Sequence, residues 1–164
     1  MRKILTYLLP LFLMGCVTAS GPSFVEPQEY SSEKATLFIY REVGYTHMAV
    51  CYVARLNGAK IGCLGNGSYI VTEVEPGKST VSAALEDSLG THSNLELEVS
   101  LEAGKKYFLK YTTELSYKKS VESGVGRRDF NIWLTGLVIP YKKGLFPVAE
   151  EIAMKELQGL KQSI

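Results

Sequence analysis

From residue 35 onward, apolar and polar side chains alternate with a period of two, and turn residues separate the runs, which is the pattern of half-buried β-strands. In the clearest run Leu95, Leu97, Val99 and Leu101 alternate with Glu96, Glu98 and Ser100. Four apolar side chains then share one face and the polar ones share the other, so this strand has one wet face. The same reading predicts strands over 35–41, 47–56, 60–64, 68–74, 78–85, 105–112 and 130–134. Asn57-Gly58, Glu75-Pro76-Gly77 and Ala103-Gly104 supply short turns between neighbours. Many short strands at regular spacing predict a mainly β fold, an antiparallel sandwich or barrel.

The period changes to that of a helix at the C-terminal end. Pro147 suits a first turn, Glu150 and Glu151 complement the positive end of a helix dipole, and Val148, Ala149, Ile152, Ala153, Leu157 and Leu160 fall on one face. The expectation is that this face packs on the sandwich. A helix lying on a membrane is the alternative, but Glu150, Glu151 and Glu156 nearly balance Lys142, Lys143, Lys155 and Lys161, whereas interfacial helices carry a cationic face.

The N-terminal end follows neither period. Arg2 and Lys3 precede an apolar run over 4–14, and Gly15 precedes Cys16. A charged start, a short apolar core and a small residue before the cut make residues 1–15 a secretory signal peptide. The run is too short to span a bilayer, which takes roughly 20 apolar residues. Leu13-Met14-Gly15-Cys16 resembles the lipobox of bacterial lipoproteins. The resemblance implies that the Cys16 thiol is diacylated with chains such as palmitate and that its new amino group is acylated after cleavage. One acyl chain binds marginally, at about 0.8 kcal/mol per buried CH₂, and two or more make the anchor stable. Val17 stands where enteric sorting would require Asp for inner-membrane retention, so the expected place is the periplasmic face of the outer membrane. Residues 17–34, with Ser20, Gly21, Pro22, Pro27, Gln28, Ser31 and Ser32, read as a flexible tether reaching on the order of 25 Å. The organisation is thus leader 1–15, lipidated Cys and tether 16–34, and one domain over 35–164.

Removing Arg2 and Lys3 with the leader takes Lys plus Arg from 18 to 16 against 17 Asp plus Glu, so no strong field exists for nucleic acid. The remaining 149 residues suit one domain that buries roughly two-thirds of its unfolded surface.

Four short motifs follow one another in the first half of the domain: Tyr40-Arg41, then Asn57-Gly58 with Gly62, then Gly67-Ser68-Tyr69, then Pro76-Gly77 with Val81. Their order resembles a family of small exported bacterial proteins catalogued as a domain of unknown function, number 2846. The resemblance implies an immunoglobulin-like or transthyretin-like sandwich with no assigned catalytic residue, and it supplies no ligand.

With Cys16 acylated, Cys51 and Cys63 remain in an oxidising compartment, twelve positions apart across a predicted hairpin. A two-residue turn at Asn57-Gly58 pairs positions summing to 115 and sends the two thiols to opposite faces. A three-residue loop pairs positions summing to 114 and sets Cys51 across from Cys63, and that register is the one predicted. Free buried thiols and a metal site with His47 and His92 are the alternatives, although four residues of strand separate His47 from Cys51 by about 13 Å.

Catalytic constellations are thin. The mature chain holds two histidines, His47 and His92, and two aspartates, Asp87 and Asp129, and no serine sits in a nucleophile elbow. Asp87, Ser88 and His92 share one polar loop and read as a solvated turn, and Gly62 to Gly67 lacks the Lys-Ser/Thr of a phosphate loop. No cofactor or metal is expected. The binding candidates are Tyr117, Lys118, Lys119, Arg127 and Arg128 in the long connection 113–129, with Trp133 just after it. Such a loop could meet anionic lipid, glycan phosphates or an acidic envelope protein. Arg41 is expected to pair with Glu73 or Glu75, or else to touch a ligand. Tyr40, Tyr52, Tyr69, Tyr107 and Tyr111 fall in strands, where rings with a polar tip fit a half-buried face. The expected function is a non-catalytic binding or scaffolding module of the cell envelope. The alternatives are an envelope hydrolase or hydrolase inhibitor, and a carrier of a small apolar ligand.

Overall fold

Seven consecutive residues, Ala35–Arg41, form strand β1, and every one of them is buried because the strand has an apolar layer on each face. The computed structural model describes residues 19–45, 47–87, 90–114, 128–134 and 137–163. After β1 come β2 (Tyr52–Leu56), β3 (Ala59–Leu64), β4 (Ser68–Val74), β5 (Gly77–Asp87), β6 (Gly90–Leu101), β7 (Lys106–Glu114), β8 (Arg128–Leu134), β9 (Leu137–Pro147), helix α1 (Glu150–Leu157) and β10 (Lys161–Gln162). One sheet has the order β10-β4-β1-β7-β9-β8 and the other β3-β2-β5-β6. Neighbours are antiparallel except β1–β7 and β4–β10. The two sheets pack face to face as a β-sandwich.

Alternation along β1 assigns its side chains to two cores. Leu37 and Ile39 point between the sheets with Tyr52, Leu64, Leu95, Leu109 and Tyr111. Phe38 and Tyr40 point to the other side, where Tyr69, Phe108, Ala153, Leu157 and Leu160 complete a second core under the helix. The helix therefore packs on the sandwich, with Ala153 and Leu157 fully buried and Ile152 outside. It begins later than the sequence pattern suggests. Pro147 is the last residue of β9, opposite Leu109, and not a first helical turn. The bond that proline cannot donate is made one residue on, from Val148 N to Phe108 O at 2.9 Å.

The stretch read as a tether is docked from Gly21 onward. Ser23 bridges Lys161, Phe24 N donates to Leu160 O at 3.0 Å, and Gln162 N donates to Pro22 O at 2.8 Å. Phe24 sets its ring edge against Phe38 and Tyr69, and Tyr30 does the same against Phe38. Two aromatic side chains in a Ser/Pro-rich segment thus anchor it in the helix-side core. A Cβ on Gly21 would stand 2.3 Å from Gln162 O, so only glycine lets the chain pass this close.

Asp87 and His92 belong to β5 and β6, with Leu85 opposite His92 and Asp87 opposite Gly90, so the polar loop expected there is largely hairpin. Strand β2 is also shorter than expected, because residues 47–49 form a turn.

A polar network fastens the helix to the sheet. Tyr40 OH donates to Glu156 Oε2 at 2.5 Å, Lys110 Nζ donates to Glu156 Oε1 at 2.8 Å, and Lys110 also pairs with Glu42. Burial opposes the charge of Lys110, but its bonds from Glu156 and Glu42 outweigh this and hold its pKa above 10.5. Burial, and then the bond to Glu156, push Tyr40 above 10.0. The folded chain holds both protons more tightly than the unfolded chain. The stability they contribute is therefore complete below about pH 10 and is lost as pH rises through the folded values. A Glu156→Ala variant is expected to lose about 2 kcal/mol at neutral pH. Urea titrations from pH 7 to 11 should show its alkaline decline flattened relative to the parent chain.

Candidate functional site

The residues best placed to form a site converge at one end of the sandwich, where β1 leaves the sheet. Arg41 is 2% exposed there. It donates to Val50 O at 2.8 Å, to His47 O at 2.8 Å and to Leu64 O at 3.5 Å, and its guanidinium lies 5.2 Å from the Tyr52 ring centre. His47 takes a left-handed conformation, φ 53°, and its carbonyl also accepts from Val50 N. Arg41 thereby clamps both ends of a tight turn in the segment after β1. The expected pairing with Glu73 or Glu75 is overturned by register. Arg41 lies opposite Ser68 whereas Glu73 lies opposite Thr36, about 17 Å away along the strand. Glu75 meets Lys34 at 3.2 Å instead.

Beneath the turn, Nδ1 of His47 shares a hydrogen bond with the Tyr52 hydroxyl, and the Tyr52 and Tyr111 rings stand 4.5 Å apart. Cys51 and Cys63 are joined in a disulfide with their Cα atoms 5.6 Å apart, so the thiols are not available as metal ligands. The bridge forms in a register that differs from the predicted one. Asn57 and Gly58, at φ 50° and 82°, make the two-residue turn, and Leu56 pairs with Ala59. A register shift between Ala54 and Arg55 then pairs Val53 with Cys63, and Cys51, just before β2, reaches Cys63 diagonally. The bulge achieves what the longer turn was expected to achieve.

The segment held by these fastenings presents apolar side chains to solvent. Val43 is 73% exposed, Tyr45 95% and Met48 44%, and they are three of the five exposed large hydrophobic side chains among the described residues. Gly44 N donates to Asn66 Oδ1 at 2.9 Å, and Val43 Cγ2 would lie 2.8 Å from a Cβ on Gly67, whose φ is 69°. Val43 and Gly44 are thus seated against Gly67 and Asn66, and the side chains of Val43, Tyr45 and Met48 are exposed. Sequence periodicity left Val43 and Tyr45 outside any element and placed Met48 in the strand expected over 47–56, whereas β2 begins only at Tyr52.

Of the other candidates, Arg128 and Trp133 lie in β8 at the edge of the six-stranded sheet. Cys16, Tyr117, Lys118, Lys119 and Arg127 lie outside the described residues.

Residues from three of the four motifs that suggested a family have structural explanations. Tyr40 bonds the helix, Arg41 clamps the turn, and Asn57 turns the hairpin while its Oδ1 accepts from Thr80 N at 2.8 Å. Gly67 admits Val43, and the fully buried Ser68 donates to Gly65 O at 2.9 Å. A family model described as "Protein of unknown function (DUF2846)" matches residues 31–125, more than half of the chain. The chain belongs to the DUF2846 family. The matched span contains the whole four-stranded sheet together with β1, β4 and β7, and with them the clamped segment and its disulfide. Strands β8 to β10, the helix and the docked residues before 31 lie outside the DUF2846 match. No curated protein matches the chain.

Proposed function

We propose that this is a lipoprotein of the bacterial envelope, held by acyl chains on Cys16 at the periplasmic face of the outer membrane and acting as a non-catalytic binding or scaffolding module. The observation that carries the reading is the exposure of three large apolar side chains, Val43, Tyr45 and Met48, close in sequence to the Arg41 clamp. Arg41 and a disulfide hold the residues on the C-terminal side of this trio in shape. A disulfide in a chain of three cysteines, with the third in a lipobox-like sequence, supports an exported location. Among the described residues, buried side chains from both layers pack together between the sheets, which supports binding at the surface over carriage of a small apolar ligand.

Fractionation tests the anchor. The native chain is expected to sediment with outer membranes, to stay there through a high-salt wash and to leave only with detergent. Cys16→Ser is expected to move it to the soluble fraction. Release of the native chain by salt alone would contradict the reading. Crosslinking in intact envelopes, with Cys16→Ser as the mislocalised control, should capture partners only when the anchor is present.

A further inference from the structure

The direction of the docked N-terminal segment decides which end of the sandwich lies near Cys16. Strand β4 runs from Ser68, opposite Arg41, to Val74, opposite Ala35, and β10 is parallel to it, with Lys161 beside Ser68 and Gln162 beside Tyr69. Ser23 bridges Lys161 in the antiparallel sense, and Gly21 N donates to Gln162 O at 3.2 Å. Followed backward from Ser23, the chain therefore descends from the level of Arg41 toward the end that carries the turns at Asn57-Gly58, Pro76-Gly77 and Ala103-Gly104. Gly21 is buried in this contact and Ala19 is still half-buried, so the descent follows the body as far as residue 19.

Length then separates the anchor from the exposed tip of Val43, Tyr45 and Met48. Four extended positions from Ser23 set Ala19 about 13 Å below the level of Arg41. Three more join it to Cys16, and they reach at most about 11 Å. Cys16 cannot rise to the level of Arg41, and the tip lies past that level, where the chain has left β1. Continued downward, the same residues arrive at the turn end, since β1 from Arg41 to Ala35 is about 20 Å long. The two ends also differ in what they offer. The turns carry none of the five exposed large apolar side chains among the described residues, and charges beside them are paired, Lys78 with Glu98 and Lys105 with Glu102. The tip offers an aliphatic, an aromatic and a thioether side chain within six residues, and tyrosine and methionine are types that protein interfaces favour. Its neighbouring charges are already used, Glu42 by Lys110 and Arg41 by the turn carbonyls, so a partner covering the tip strips no ion of its counterpart.

We infer that the turn end faces the bilayer that holds the acyl chains, and that Val43, Tyr45 and Met48 point away from it into the periplasm, where they dock in an apolar recess of another envelope protein. The tip then stands at least about 20 Å from that bilayer, outside a headgroup layer about 5–8 Å deep. The inference rests on the lipid anchor proposed above and adds to it an orientation and a class of partner.

Photo-crosslinking in intact cells tests it in the full chain. The photoreactive residue p-benzoylphenylalanine replaces Tyr45 in one strain, and Lys78, beside the turn at Gly77 and 79% exposed along its side chain, in another. Illumination is expected to give phospholipid adducts, read by mass, at position 78 and none at position 45. Position 45 is expected to give a discrete protein adduct, its partner identified from its peptides. Adding Met48→Asp, at a side chain already exposed, should lower the yield of that adduct about tenfold while leaving the adducts at 78 and the melting temperature unchanged. Phospholipid adducts at 45, or none at 78, would overturn the orientation. No protein adduct at 45, or a yield indifferent to Met48→Asp, would overturn docking at the tip. The mass of the N-terminal peptide from the same membranes separates orientation from anchor. Triacylated Cys16 with phospholipid adducts at 45 overturns the orientation and leaves the anchor standing. Unmodified Cys16 overturns both.

Discussion

An Arg41→Leu variant is expected to unfold about 4 kcal/mol more easily than the parent chain. The guanidinium is buried and serves carbonyls of His47, Val50 and Leu64, while its face covers Tyr52. Leucine keeps much of the apolar packing but donates nothing, so these carbonyls lose a charged donor in a place water does not readily reach, at about 1–3 kcal/mol for each group left unsatisfied. The losses do not add fully because the turn can relax. At roughly 2–4 °C per kcal/mol for a chain of this size, the melting temperature should fall by about 8–16 °C. Arg41→Lys retains the charge but not the fork that reaches both ends of the turn, and an intermediate loss is expected. Thermal and urea unfolding followed by circular dichroism reads all three proteins. A melting temperature unchanged in Arg41→Leu would show that the clamp does not hold the turn.

The second large effect is expected from the disulfide. Cys51 and Cys63 are twelve residues apart, and closing a loop of that length contributes about 3 kcal/mol in the chain-entropy description. The double variant Cys51→Ser/Cys63→Ser should lower the urea midpoint accordingly, and dithiothreitol should lower the parent chain's midpoint to the same value while leaving the variant's unchanged. Arg41 and the bridge act on the same segment, the one by its turn and the other by its C-terminal end. Combining Arg41→Leu with the serine pair should therefore cost less than the sum of the two losses, since a turn already released by one has less left to lose from the other.

Those two fastenings also show what could be read from the chain. The strands were legible where alternation was clean: Leu95, Leu97 and Leu101 are buried while Glu96 and Glu98 are exposed, as the pattern demands. Strand β1 was legible as a strand, and its continuous apolar run reports burial on both faces. Strand β9 was not, because Pro140, Lys142, Lys143 and Gly144 interrupt its pattern with residues that ordinarily mark turns. The pairing of Cys51 with Cys63 was legible from their number and spacing, but its register was not. A bulge at one position of a short hairpin leaves no mark in hydrophobic period. Arg41 failed for a different reason. Charge suggested a carboxylate, whereas its partners are backbone carbonyls of a turn that exists only once the chain folds back on itself. Polarity misled in the same way over the N-terminal stretch, where Phe24 and Tyr30 outweigh the surrounding serines and prolines by reaching the core under the helix.

The account depends most on the covalent state of one residue. Mass spectrometry of the N-terminal peptide, taken from native protein purified from its own membranes, tests this directly. The predicted result is a peptide that begins at Cys16 and carries the mass of a diacylglyceryl group on the thiol with a further acyl chain on the amine. A peptide that retains residues 1–15, or a Cys16 without fatty acid, would contradict the account.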